Sequence, residues 1–168
     1  MSHENQDQRI VIRRAEKPGD LGWVVMVHGE IYHQQFDWNA EFEALVARIV
    51  ADYAAEHDPV REAAWIAEVD GERGGCIFCV AGDEPDAAKL RILLVAPAAR
   101  GLGVGSRLVE ECLRFATQAG YRQITLWTND VLASARRIYQ AAGFTLVDEE
   151  AHHSFGRDLV GQHWALAL

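Results

Sequence analysis

"RGLGVGSRL", residues 100–108, decides how the rest of the chain is read. It sets an arginine and three alternating glycines between a short apolar run, "ILLVA" (92–96), and the start of a helical pattern. Glycine loses more backbone freedom on folding than any other residue. A cluster of them therefore marks a main chain that turns unusually or approaches something closely. A glycine loop that opens a helix also presents free N–H groups, with the positive end of the helix dipole behind them. That combination suits a phosphate or pyrophosphate.

The flanking segments place the loop in a larger pattern. A strand, "RIVIRRA" (9–15), closes at Pro18-Gly19, and two helical stretches follow at about 19–35 and 38–57. In the second, Phe42, Leu45, Val46, Ile49, Val50 and Tyr53 recur at helical spacing, with Asn39 placed to cap it. "AAWIAEVDG" and "GGCIFCVAG" read as two strands joined at Asp70-Gly71, a strong hairpin signal. A third strand, 88–96, ends at Pro97, and the glycine loop then opens a helix over 103–119 that Gly120 stops. A strand at 123–129, a helix at 132–142 stopped by Gly143, and two short strands, "FTLVDEE" and "HWALAL" (163–168), complete the chain. This order predicts a mixed α/β domain.

Composition narrows the function. The 168 residues suffice for one domain with a real core and are short for two, and no repeat or linker divides them. The opening "MSHENQDQ" (1–8) lacks the basic and apolar regions of a signal peptide and reads as a short disordered tail on a cytoplasmic protein, leaving 9–168 as the domain. No apolar run approaches the roughly 20 residues of a membrane span. The net charge of −9, spread along the chain, argues against a nucleic-acid partner, whose binders carry a basic face. Three cysteines do not make a disulfide framework. Cys76 and Cys79 form a C-x-x-C on a strand, where positions three apart point to opposite faces, so neither a metal nor a redox pair is expected. His28 and His33 are five apart and miss the helical spacing of a metal pair.

Three phosphate-binding designs could use such a loop. A P-loop needs a Gly-Lys-Ser/Thr ending, which "GVGSRL" lacks. The dinucleotide fingerprint G-x-G-x-x-G would find Ser106 in place of its third glycine, and no acidic residue ends the following strand at Thr128-Asn129. The third design fits: "VAPAARGLGVG", Val95 to Gly105, resembles the acetyl-CoA signature R/Q-x-x-G-x-G/A of the GNAT superfamily of N-acetyltransferases, with its preceding strand and V-x-P step. "IYQAAGF" (138–144) resembles that superfamily's Tyr-x-x-x-Gly-Phe helix ending, and the likeness extends over roughly 9–168. "ITLWTNDVLASARRIYQAAGF" and "HHSFGRDLVGQHW" look particularly like the acetyltransferase half of proteins that fuse a MarR-type DNA-binding domain to a GNAT domain.

The resemblance implies a GNAT fold: a twisted, mostly antiparallel sheet of about seven strands with about four helices on its two faces. It implies transfer of acetyl from acetyl-CoA directly to an amine, of a small molecule or a protein, without a metal. Leu93, Leu94 and Val95 would pair with the pantetheine arm, and Arg100, Gly101, Leu102, Gly103, Val104, Gly105 and Ser106 would hold the pyrophosphate. Asn129 and Ser134 complete the cofactor set, and Tyr139 is the implied general acid for the departing thiolate. Two positions depart from the family's pattern. Leu132 stands where many relatives carry a pantetheine-contacting asparagine, and Lys89 where several carry a basic glutamate. Lys89 and Arg91 alternate with Leu90 and Ile92, so they share a strand face and would suit an acceptor bearing a carboxylate or phosphate. Tyr32, Trp127 and His153 join them on the expected acceptor side, and Glu68, His28, His153 or a water relay are the candidate bases. Many relatives are dimers, so a homodimer is one assembly the resemblance allows. A non-catalytic acyl-CoA sensor is the alternative reading of the missing glutamate.

Overall fold

The computed structural model describes residues 9–168, so the tail expected at 1–8 lies outside the described residues. β1 (Ile10–Arg14) leads to α1 (Asp20–Phe36) and α2 (Ala40–Glu56), then β2 (Ala63–Val69), β3 (Glu72–Ala81) and β4 (Ala87–Val95). A 3₁₀ turn at Pro97–Ala99 precedes α3 (Val104–Gln118), β5 (Gln123–Asn129), α4 (Ala133–Ala142), β6 (Thr145–Ser154) and β7 (Arg157–Ala167). The strands form one sheet in the order β1-β2-β3-β4-β5-β7-β6, antiparallel throughout except at β4–β5. This is the mixed α/β order and the GNAT-type sheet expected from the sequence.

Strand alternation builds a core on each face. Trp65, Ile77, Cys79 and Leu90 pack with Leu108, Val109 and Cys112 of α3. Ile66, Cys76, Phe78 and Leu94 pack with Val24, Val27, Val46 and Val50 of α1 and α2. Ile66, Ile77 and Phe78 are fully buried, each worth roughly 1.5–3 kcal/mol in apolar transfer. Cys76 and Cys79 fall in different cores, as their spacing on a strand requires.

Two features shape the site end of the sheet. Ile92 takes a left-handed φ of 44°, and the β3–β4 register slips between Cys76 and Phe78, so two residues of β4 face one of β3. This bulge puts Leu90 and Leu93 in the same core although they are three residues apart. It also re-aims the end of β4. The parallel β4–β5 pairing covers only Ala87–Lys89 against Gln123–Thr125, after which the strands part.

The last two strands run longer than the sequence reading allowed. β6 and β7 extend to Ser154 and from Arg157, around a two-residue turn in which Phe155 (φ 58°) and Gly156 (φ 79°) are both left-handed. That is the type I′ arrangement, which also closes β2–β3 at Asp70-Gly71. A phenylalanine in the turn and a solvent-exposed, polar β6 hide the hairpin from pattern reading.

Candidate active site

The glycine loop uses its glycines in two ways. Gly101 (φ 79°) and Gly103 (φ 76°) are left-handed, with open space where a Cβ would stand, so they are needed for backbone conformation. Gly105 has no such φ. Its hydrogen faces α4, and a Cβ there would sit 2.6 Å from Ile138 Cδ1 and 3.3 Å from Val95 Cγ2. The first loop-to-helix bond is Arg107 N–H to the Gly103 carbonyl, at 3.1 Å. The N–H groups of residues 101–106 donate to no carbonyl among the described residues, two more than a helix start leaves free by itself. Together they form an anion-binding nest at a helix N-terminus. Arg100 is exposed beside it, its Nε 3.4 Å from the Val95 carbonyl.

A cavity of about 390 Å³ runs from this nest along the unpaired edge of β4 to the last turns of α1. Of the expected residues, Leu93, Leu94, Val95, Arg100, Gly101, Gly103, Val104, Gly105, Ser106, Ser134 and Tyr32 line it. Leu102 instead packs against the α3 core. Asn129 is buried and its Oδ1 lies 2.8 Å from His152 Nε2. The far wall is made by Gln35 and Phe36 of α1 and by Val131, Leu132 and Ile138 around α4; of these, sequence reasoning missed Gln35, Val131 and Ile138. Leu132 thus borders the cavity at the position where many relatives have asparagine.

Tyr139 is 5% exposed and packs its ring 5.8 Å from Phe144. Burial pushes its phenol well above the usual tyrosine range, with the phenol of Tyr32 and the thiol of Cys112 adding to the effect. Burial drives Tyr32 upward in the same way, with the Cys76 thiol adding and Arg100 opposing. Both hydroxyls therefore stay protonated in the working range.

On the face where the acceptor is expected, Lys89 and Arg91 are half-buried, opposite Leu90 on their strand; they make no ion pair among the described residues and do not line the cavity. Trp127, 42% exposed, lies on the same sheet face, its ring centroid 4.4 Å from His163 and 5.9 Å from His152. The expected bases are engaged elsewhere. Glu68 sits 3.2 Å from Arg13 and 3.9 Å from Lys17. His28 is 1% exposed, holds the Val24 carbonyl at 2.7 Å, and is kept neutral by burial, which lowers its pKa to about 4. His153 is exposed and pairs with Asp158 at 2.8 Å, so the strand turns it away from the cavity and turns His152 toward Asn129. No group of His, Cys, Asp and Glu among the described residues is arranged to hold a metal. No described helix is long and apolar enough to cross a membrane.

This strand–loop–helix architecture with a splayed parallel pair defines an acyl-transfer fold, and the comparisons identify it. Residues 22–144 match the model of the acetyltransferase (GNAT) family, and the chain belongs to that family of N-acetyltransferases. It is 28% identical over 147 residues to an uncharacterised N-acetyltransferase of Schizosaccharomyces pombe, covering 86% of this chain and 88% of that one. It is 31% identical over 103 residues to human N-acetyltransferase 8B, covering 59% of this chain and 45% of that one, so it spans less than half of that relative. In structure it is similar to a GNAT-family acetyltransferase from Staphylococcus aureus (TM-score 0.78, 17% identity, 95% and 99% of the two chains). It is also similar to an acetyltransferase from Salmonella typhimurium solved with its cofactor acetyl-CoA (TM-score 0.73, 19% identity, 95% and 94%).

Proposed function

We propose that this protein transfers an acetyl group from acetyl-CoA to the amine of a small acceptor that also bears an anionic group. One observation carries the reading: six consecutive free N–H groups, 101–106, stand at the end of a strand edge left unpaired by the β4–β5 splay. The nest would bind the pyrophosphate, and the main-chain groups of Leu93–Val95 that face the splay would bind the pantetheine amides, the arrangement that the family resemblance implies. A main-chain N–H near Val95 would receive the thioester oxygen as charge develops on it. Tyr139, held protonated by burial, would give its proton to the departing sulfur.

The anionic acceptor follows from Lys89 and Arg91, two cations with no carboxylate partner on the face that carries Trp127. In this reading the protein is cytoplasmic, a homodimer is one assembly open to it, and the chain resembles the acetyltransferase half of MarR–GNAT fusions.

Calorimetric titration with acetyl-CoA, beside coenzyme A and NAD, tests it. Micromolar binding of the two CoA compounds alone, lost in Gly103→Leu, is expected. A folded protein that ignores acetyl-CoA overturns the reading.

A further inference from the structure

Of the side chains expected to take the acceptor's proton, Glu68, His28 and His153 are committed elsewhere. His152 is differently placed. It is half-buried, with Nε2 2.8 Å from Asn129 Oδ1 and Nδ1 2.9 Å from Ser154 Oγ. A neutral imidazole has one N–H, and an amide oxygen can only accept, so Asn129 takes the Nε2 hydrogen. Nδ1 is then a bare lone pair on which the Ser154 hydroxyl donates.

Neither end of this chain lines the cavity itself; each is joined to it through neighbouring residues. Asn129 is the last residue of β5, on the wall of the splay opposite β4, and its carbonyl accepts from Leu132 N–H at 3.0 Å beside the cavity. Ser154 is the last residue of β6, next to a hairpin tip that docks on the end of α1. The Phe155 ring packs tilted, 4.9 Å from Trp38, and Trp38 lies 5.6 Å from the cavity-lining Phe36. The charged groups around His152 are Glu150 two residues back on its strand, the His163–Asp148 pair, and Arg157 opposite Ser154, which is tied to Asp37.

Resting on the acetyl-transfer reading, we propose that Ser154 and His152, positioned by Asn129, form the relay that deprotonates the acceptor amine. An incoming ammonium gives one proton to Ser154 Oγ while the hydroxyl's own proton moves to His152 Nδ1, and the imidazolium keeps its Nε2–H on Asn129. The freed lone pair forms the C–N bond as the thioester C–S bond breaks. The nitrogen's second proton replaces the one Tyr139 gives to sulfur, and His152 returns its proton to water. His152 acts through Ser154, so the strand's alternation, which turns His153 outward, selects which of two adjacent histidines serves.

Two measurements decide it. In ¹⁵N-labelled protein, long-range imidazole correlations should show His152 protonated at Nε2 and bare at Nδ1; the opposite tautomer overturns the relay. Thiol release from acetyl-CoA is then followed against pH with the twenty amino acids and putrescine as acceptor probes. His152→Gln and Ser154→Ala should each lose about 100-fold while binding acetyl-CoA within about twofold by calorimetry, and Ser154→Thr should restore much of the rate. The acid limb of the wild-type profile should shift in His152→Gln. Wild-type rate and profile in His152→Gln overturn the relay. Loss of acetyl-CoA binding by the wild type, or binding without turnover of any probe, overturns the acetyl-transfer reading instead, and the tautomer still judges the three-residue chain.

Discussion

Gly105 and Ile138 interlock: the first turn of α3 meets α4 through a notch that a single Cβ, 2.6 Å from Ile138 Cδ1, would fill. Both residues line the cavity, so packing and ligand binding share this contact. Gly105→Ala is expected to cost about 1–2 kcal/mol by overpacking and to weaken acetyl-CoA binding. Ile138→Val removes the offending methyl and should recover most of that loss, which a double-mutant cycle by urea unfolding would measure. Gly103→Ala should cost a similar amount through its φ of 76°, and Ile138→Val should not relieve it.

Asp20 ties three elements together. Its carboxylate, 0% exposed, accepts from Arg13 at 2.7 and 3.0 Å, from Arg73 at 2.9 Å and from Lys17 N–H at 2.9 Å. Burial alone would raise its pKa. The Arg13 and Arg73 hydrogen bonds and the Lys17 N–H outweigh that and bring it to about 2. A carboxylate depressed in the folded state stabilises above its unfolded pKa, so this stability should fade as pH falls from about 4 to about 2. Asp20→Asn should lose about 2–3 kcal/mol at neutral pH, because Arg73 loses its only carboxylate partner and Arg13 keeps only Glu68, and its unfolding midpoint should respond less to acid over that window.

The sequence showed the element order and the nest because both rest on local signals. Gly101, Gly103 and Gly105 stand at fixed offsets after an apolar strand, and helical periodicity marks α2 and α4. Other features depend on tertiary packing. The turn at Phe155-Gly156 is held by aromatic contacts from Trp38, between α1 and α2, and from Phe42 of α2, which no local window contains. Neighbouring histidines on a strand look equivalent in sequence, and only the pairing with β7 and β5 shows that His152 faces Asn129 and His153 the solvent. The third glycine's reason, contact with Ile138, likewise appears only once α3 and α4 are side by side.

The hairpin tip is latched to the α1–α2 junction. Phe155 packs 4.9 Å from Trp38 and 5.1 Å from Phe42, its carbonyl accepts from Asn39 N–H at 3.1 Å, and Arg157 pairs with Asp37. Phe155→Ala should release the tip and cost about 2–3 kcal/mol, less than a fully buried aromatic. Amide exchange should accelerate at residues 150–160 while the β2–β3 core stays protected. Arg157→Ala, which removes an exposed ion pair, should change stability by under about 1 kcal/mol. Equal effects of the two substitutions would show that charge rather than packing holds the latch.

The proposed role of Tyr139 can be tested apart from cofactor binding. The Tyr139 ring is packed in the α3 core and burial holds its hydroxyl protonated; Ile138 lines the cavity, and Tyr139 follows it in α4 without lining the cavity itself. In Tyr139→Phe the ring's contacts remain, so acetyl-CoA affinity should stay within about twofold while the rate of thiol release falls by about 100-fold. A general acid works only while protonated, and this phenol is raised above the ordinary tyrosine range, so the wild-type rate should show no alkaline decline from Tyr139 up to about pH 10. Stopped-flow thiol detection under saturating acetyl-CoA distinguishes the outcomes. An unchanged rate in Tyr139→Phe would assign the sulfur's proton to water entering along the splay, and the tyrosine to packing alone.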